Sequence, residues 1–231
     1  MAGCGVLTAG LSACETTEQE SARLGREAGA QSKGPTALKI AHANRAIHAS
    51  EVTLLSSEGR SAVAVRLTSH AAHSEAAVPL LLDVTDAKGK TVYSNATGVE
   101  PSLQSLALLR GQESAWWVDD QVLTSAPAKS AKVTVGKGHA APTTARLQTT
   151  AVHASSQSGL PVLSGKLVNG SAHKLEQVSV FAVALSGGRV VGAGRAVVAS
   201  LAGHGSAQFQ VFIVGRAAGA KLELTAAASG S

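Results

Sequence analysis

The chain has 231 residues, of which 45% are hydrophobic, 15% charged and only 3% aromatic. This composition argues against a disordered chain and requires cores built from Val, Leu, Ile and Ala. The net charge is +5, but the basic residues are scattered and no nucleic-acid-binding motif accompanies them. The tightest basic group is Lys129, Lys132, Lys137 and Arg146. We therefore expect a folded protein that does not bind nucleic acid.

The first 13 residues are small and apolar, and Cys14 follows them directly. Leu11-Ser12-Ala13-Cys14 resembles the lipobox of bacterial lipoproteins, in which the leader is cleaved before a cysteine that receives a lipid. The resemblance implies a signal segment over 1–14 and membrane attachment through acyl chains on Cys14. Thirteen residues are too few to span a bilayer, which needs about 20. The alternative is a frayed apolar terminus with an incidental cysteine.

A signal peptide has a basic segment before its apolar stretch, and here no Lys or Arg precedes it. We therefore expect the true start of the protein to lie upstream of Met1. Residues 15–36 then read as a stalk. Thr17 and Glu20 have the spacing of a capping box, which predicts a short helix over 17–30. Its apolar face consists of Ala22 and Leu24 only, too little to support a core.

From Ala37 onward the hydrophobic residues alternate with polar ones, which is the period of β-strands. The first set of predicted strands is 38–40, 51–55, 62–67, 78–84, 91–93, 105–109, 114–118 and 132–135. The second set is 146–154, 161–168, 177–185, 189–191, 195–199, 206–214 and 221–225. Seven or eight short strands per set predict two tandem immunoglobulin-like antiparallel β-sandwiches. We place the domains at 37–137 and 145–228, with 137–144 as a plain linker.

The two sets are copies of one unit. The segment GQESAWWV (111–118) returns as GHGSAQFQ (203–210), and Leu67, Ser69, Val78 and Leu80 recur as Leu167, Asn169, Val178 and Val180. This arrangement resembles the FxLYD domain of bacterial secreted proteins and lipoproteins. Residues 82–86 occupy the signature position and keep its Asp without the Tyr, whereas 182–186 keep neither. The resemblance implies an extracytoplasmic β-sandwich with no known catalytic site.

Trp116 and Trp117 are neighbours on a predicted strand and must face opposite sides of the sheet. Trp117 aligns with Phe209, whose alternation with glutamines predicts an inward side chain, so Trp117 is expected in the core. Trp116 aligns with Gln208 and is expected on the outer face, beside Glu113 and Asp119. Two explanations stay open: packing against the other domain or the stalk, and binding of a partner by Trp116, Glu113 and Asp119.

The remaining candidates for chemistry are weak. His70 and His73 could ligate a metal, but no cysteine or carboxylate joins them at a characteristic spacing, so solvated loop histidines are expected. Asp119 and Asp120 should point to opposite faces and lie at a solvated edge or hairpin end. Asn95 and Asn169 match glycosylation sequons but are interpreted as turn asparagines. No hydrolase or dinucleotide-binding motif is present.

Together these patterns predict a non-enzymatic, lipid-anchored, extracytoplasmic protein of the bacterial cell envelope that binds or scaffolds an envelope protein and needs no cofactor. The alternative is an envelope carrier or sensor of a small ligand or metal ion held between the two domains.

Overall fold

The computed structural model describes residues 37–142 and 146–228, which all belong to one compact unit, Ala37–Ser231. We refer to residues 37–142 as the first half and to residues 146–228 as the second half. The predicted all-β fold of antiparallel sandwiches is confirmed. Cys14 and the predicted stalk helix lie outside the described residues.

Strands account for nearly all regular structure in the described residues. In the first half they are β1 (Ile47–Ser57), β2 (Arg60–Ser69), β3 (Ser74–Thr85), β4 (Thr91–Ser94), β5 (Ser105–Leu109), β6 (Ser114–Asp119), β7 (Ser130–Val135) and β8 (His139–Ala141), with a 3₁₀ turn at Pro101–Leu103. In the second half they are β9 (Leu147–Gln157), β10 (Leu160–Asn169), β11 (Leu175–Ser186), β12 (Arg189–Leu201), β13 (Ser206–Phe212), β14 (Val214–Gly215) and β15 (Lys221–Ala227). No helix among the described residues is long and apolar enough to cross a membrane.

Each half is a sandwich of two antiparallel sheets. In the first half the sheet β1–β2–β6 packs against a sheet centred on β3, which pairs with β4, β5, β7 and β8. In the second half the sheet β13–β10–β9 packs against the sheet β14–β12–β11–β15. The inward residues of each strand alternate with outward ones, as the sequence pattern requires.

The two halves repeat each other in backbone conformation as well as in strand order. The β1–β2 turn has positive φ at Glu58 and Gly59 (51° and 75°), and the β9–β10 turn has it at Ser158 and Gly159 (50° and 83°). Two adjacent residues with positive φ are what a type I′ hairpin requires. The shared turn conformation therefore supports the duplication read from the sequence.

The two cores are centred on the aromatic residues that the alternation predicted. Trp117 is 0% exposed and Phe209 is 5% exposed, which confirms both as core residues. Val65 lies opposite Trp117, and Gly165 occupies the equivalent position opposite Phe209. A Cβ on Gly165 would lie 2.6 Å from Phe209 Cζ. The glycine thus makes room for the ring in the second half.

The first half interrupts a strand that is continuous in the second. The predicted segments 189–191 and 195–199 form the single strand β12, whereas the equivalent chain in the first half is split into β4 and β5. Asn95 stabilises the interruption: its Oδ1 accepts a hydrogen bond from Leu82 N (2.8 Å), and its Nδ2 donates to Leu80 O and Leu103 O. Asn95 is a turn residue as predicted, but it is 0% exposed, so its amide is not open to modification.

One predicted strand and the predicted linker are wrong. Residues 38–40 form no strand, and only an isolated bridge joins Ala43 to Gly136. The predicted linker contains β8, which pairs with Ser74, Glu75 and Ala76 of β3. The carboxylate of Glu75 accepts hydrogen bonds from Asn44 Nδ2 (2.9 Å) and Gly138 N (3.1 Å). The first bond holds the chain that enters the first half against β3, and the second holds the chain that leaves it.

Candidate functional site at the junction of the two halves

The outer face of the sheet β1–β2–β6 is buried against the sheet β14–β12–β11–β15 of the second half. Trp116 and Val118, which point away from the first half's own core, belong to the same hydrophobic cluster as Phe181 and Val183. Along β11, Val180 and Ala182 face the second half's core instead. The central sheet of the second half is therefore buried on both faces, which fuses the two sandwiches into one stack.

Trp116 is the largest side chain of this junction and is 4% exposed. Its indole Nε1 donates to Glu223 Oε2 (2.9 Å), and its backbone N donates to Thr225 Oγ1 (2.9 Å). The guanidinium carbon of Arg66 lies 5.8 Å from the ring centroid, within the range of a cation–π contact. Among the strands of residues 37–142 and 146–228, β6 pairs only with β2, so Thr225 satisfies a backbone donor on the other edge of this strand.

The partner-binding surface that the sequence offered as one explanation of Trp116 is not exposed. Trp116 is covered by the second half, and Asp119 is 0% exposed. Of the three residues, only Glu113 reaches solvent, with 57% of its side chain exposed. Intramolecular packing, the other explanation, is the arrangement observed, because the outer face of a strand can be covered by another sheet of the same chain.

Arg195 of β12 joins the second half to the first through buried polar contacts that the sequence did not suggest. Its side chain is only 5% exposed and lies against Asp120 (Nε to Oδ1, 3.6 Å), Glu100 (Nη1 to Oε2, 3.2 Å) and Ser102 (Nη1 to Oγ, 2.8 Å). The Arg195 backbone N also donates to Asp120 Oδ2 (3.0 Å). The only sequence signal was a charged residue in an apolar strand segment, which by itself does not specify a partner.

Asp119 and Asp120 diverge as predicted, but neither occupies a solvated edge. Asp119 points into the first half, where it accepts hydrogen bonds from Tyr93 OH (2.6 Å) and Gln121 N (3.0 Å). Burial raises the pKa of Asp119 to about 6, against the lowering effect of these two bonds. Burial also raises the pKa of Asp120, although Arg195 opposes the shift.

The hydroxyl of Tyr93 stays protonated over the physiological range, because burial and the neighbouring Asp119 carboxylate both raise its pKa. It therefore acts as a fixed hydrogen-bond donor to Asp119. In the second half the positions equivalent to Asp119 and Tyr93 are Val211 and Gly192, judged from the strand registers. The polar pair belongs to the first half alone.

The weak metal candidates are not brought together with further ligands. His70 is exposed and its ring centroid lies 5.8 Å from that of His48, whereas His73 lies at the end of the groove described next. Across residues 37–142 and 146–228, no three His, Cys, Asp or Glu side chains converge as a metal site would require.

A groove follows the line where β15 passes the ends of β5 and β6. It consists of three adjoining cavities of about 450, 200 and 270 Å³ that share lining residues. We call it the junction groove, and its main lining residues are Arg66, His73, Leu108, Arg110, Glu113, Ser114, Arg146, Leu147, Glu223, Leu224 and Thr225. Both halves contribute to its walls.

No protein-family model matches the chain, and no curated protein matches it significantly. We therefore infer the function from the geometry of the junction.

Substitution Trp116→Ala should lower the free energy of unfolding by about 3–5 kcal/mol, the usual cost of truncating a buried large aromatic residue. Phe212→Ala is the matched control, because Phe212 is 38% exposed and should cost less than about 1.5 kcal/mol. Urea denaturation of both variants measures the difference. If both variants lost the same free energy of unfolding, Trp116 would not be buried in the junction as the structure shows.

The pH dependence of stability should contain a contribution from Asp119. Its folded pKa of about 6 lies above the unfolded value near 3.8, so the native state binds the proton more tightly. This contribution is complete below pH 4 and is lost as the pH rises to 6, amounting to at most about 3 kcal/mol. Asp119→Asn should flatten the stability profile between pH 4 and 6 in urea titrations.

Tyr93→Phe tests the Tyr93–Asp119 pair from the other side, because it removes the hydroxyl that donates to Asp119. The Tyr93 hydrogen bond lowers the pKa of Asp119, so its removal should move the titration of Asp119 to a higher pH. The stability profile of this variant should therefore fall over a higher pH interval than that of the wild type. An unchanged profile in both variants would show that Asp119 does not titrate as its buried position requires.

Proposed function

We propose that this protein is a non-enzymatic binding or scaffolding component of the bacterial cell envelope, held on the membrane by acyl chains on Cys14. The observation that carries the proposal is the burial of the junction. Arg195 and Asp120 are occupied in holding the two sandwiches together, and the buried Asp119 is occupied by Tyr93 within the first half. A compact stack of two sandwiches that resemble FxLYD domains suits the presentation of a surface better than chemistry.

The repeat suggests which surface is presented. The outer face of β1–β2–β6 docks onto a neighbouring sheet, and the equivalent face of the second half, on β9–β10–β13, lies open. Gln208, Gln210 and Phe212 project from this face, and Phe212 is 38% exposed. An exposed aromatic residue among hydrogen-bonding side chains is typical of a protein interface. We propose this face as the partner surface in place of Trp116.

A second candidate function is the carriage of a small ligand between the two halves. The observation in its favour is the junction groove, because both halves line it and charged side chains from each reach it. A cleft at a domain boundary is a common position for a ligand site.

The lipid anchor predicts a simple fractionation result. Wild-type protein should pellet with membranes, and Cys14→Ser should move it to the soluble fraction, since the acyl chains would have no attachment point. Detergent-phase partitioning and the mass of the mature N-terminus measure the same property. Membrane association that persists in Cys14→Ser would contradict the anchor, and Cys4→Ser serves as the control for a general effect of removing a cysteine.

The partner surface predicts a selective loss in pull-downs from envelope extracts. Phe212→Asp places a charge on the open face and should remove the captured protein. Val197→Asp is the matched control, because Val197 is 37% exposed on β12, away from this face, and should retain it. Identical capture by both variants would eliminate the β9–β10–β13 face as the partner surface.

A further inference from the structure

We infer that the junction groove binds an anionic amphiphile, a molecule with a carboxylate or phosphate head group on a short apolar chain. The inference rests on the second candidate function, carriage of a small ligand, and assigns the ligand class. It follows from two adjoining cavities of the groove, one lined by guanidinium groups and the next by leucine side chains.

One end of the groove is basic. The cavity of about 450 Å³ is lined by Arg110 of the first half and Arg146 of the second, with His73 beside them. Glu113 is the acidic group at this end, and its Oε2 lies 4.0 Å from Arg110 Nη1. Among the described residues that line this cavity, two side chains are guanidinium groups and one is a carboxylate. A guanidinium binds carboxylate and phosphate oxygens through paired hydrogen bonds.

The adjoining cavity of about 200 Å³ shares Arg110 and Glu113 with the basic end, and most of its other side chains are aliphatic. Leu108 of the first half, with Leu147 and Leu224 of the second, forms its walls, and all three are only partly buried. Buried Ala115 and Ala227 contribute to its floor. Thr225 also lines it, but its hydroxyl already accepts the Trp116 backbone donor. A short hydrocarbon chain would cover these leucines and remove their surface from water.

The charges at the basic end are not inherited from the repeated unit. β6 and β13 begin at Ser114 and Ser206, and this step places Ala202 at the position of Arg110 and Gly205 at that of Glu113. β1 and β9 begin at Ile47 and Leu147, which places Ala46 at the position of Arg146. The folded unit does not need these charges, because it forms in the other copy without them. Their role is specific to the junction.

The test is isothermal titration calorimetry on the full chain carrying Cys14→Ser, which keeps acyl chains and detergent out of the sample. The probes are octanoate, octyl phosphate, the neutral octyl glucoside and the cationic octyltrimethylammonium, each below its micelle concentration. Acetate and inorganic phosphate serve as head groups without a chain. Octanoate and octyl phosphate should bind, and the neutral and cationic probes should bind at least about tenfold more weakly.

Substitutions in the groove should act in opposite directions. Arg146→Met should weaken octanoate binding about tenfold by removing a charge-assisted hydrogen bond. Glu113→Gln should strengthen it, because it removes the competing carboxylate next to Arg110. Arg189→Met is the matched control, since Arg189 is an exposed arginine of the β11–β12 hairpin that does not line the groove, and it should leave binding unchanged.

Three results would overturn the inference. If octyl glucoside bound as tightly as octanoate, the ligand would not need an anionic head group, although the carrier function would still stand. If acetate or phosphate bound as tightly as octanoate or octyl phosphate, the ligand would not need an apolar chain. Absence of binding by all probes would overturn the inference as a whole. Native mass spectrometry of protein released from the envelope then judges the carrier function separately, by detecting any retained small molecule.

Discussion

The packing of one sheet face against another across the junction is the contact on which the rest of the structure depends. Trp116 and Val118 face away from the first half's own core and would lie in water if the first half stood alone. Phe181 and Val183 face away from the second half's core in the same manner. Each half therefore covers an apolar face of the other, and with so few aromatic residues in the chain, the loss of either face removes a large share of the buried surface.

The polar contacts at the junction act on geometry more than on net stability. Removing Arg195 and Asp120 from water has a cost that their hydrogen bonds and ion pairs only partly offset, as the raised pKa of the Asp120 carboxyl group shows. Such groups fit in one arrangement only, because each needs a partner at a fixed position. They fix the register of one sandwich on the other, whereas the apolar contacts around Trp116 provide most of the attraction.

The alternation of residues in the sequence predicted correctly which side chains face the core of their own sandwich. It could not predict which outward faces another part of the chain covers. The period of two in β13 predicted an inward Phe209, and the repeat then predicted an inward Trp117, and both are correct. The same period predicted that Trp116 faces outward from its own sandwich, which is also correct. It could not show that a sheet containing β11 and β15, from the other half of the chain, covers that face. The prediction of a solvated Asp119 was wrong for a similar reason, because its partner Tyr93 lies on another strand of the sandwich.

The two copies differ on the sheet face that forms the junction in the first half. The face of β6 that carries Trp116 and Val118 becomes Gln208 and Gln210 on β13, and both glutamines are exposed. When two similar units contact each other through different faces, each added unit leaves the same face free, so the contact could be repeated with a further unit. The glutamines of the second half offer another sheet little apolar surface to bury. This face therefore stays open where the equivalent face of the first half is covered, and the exposed Phe212 lies within it.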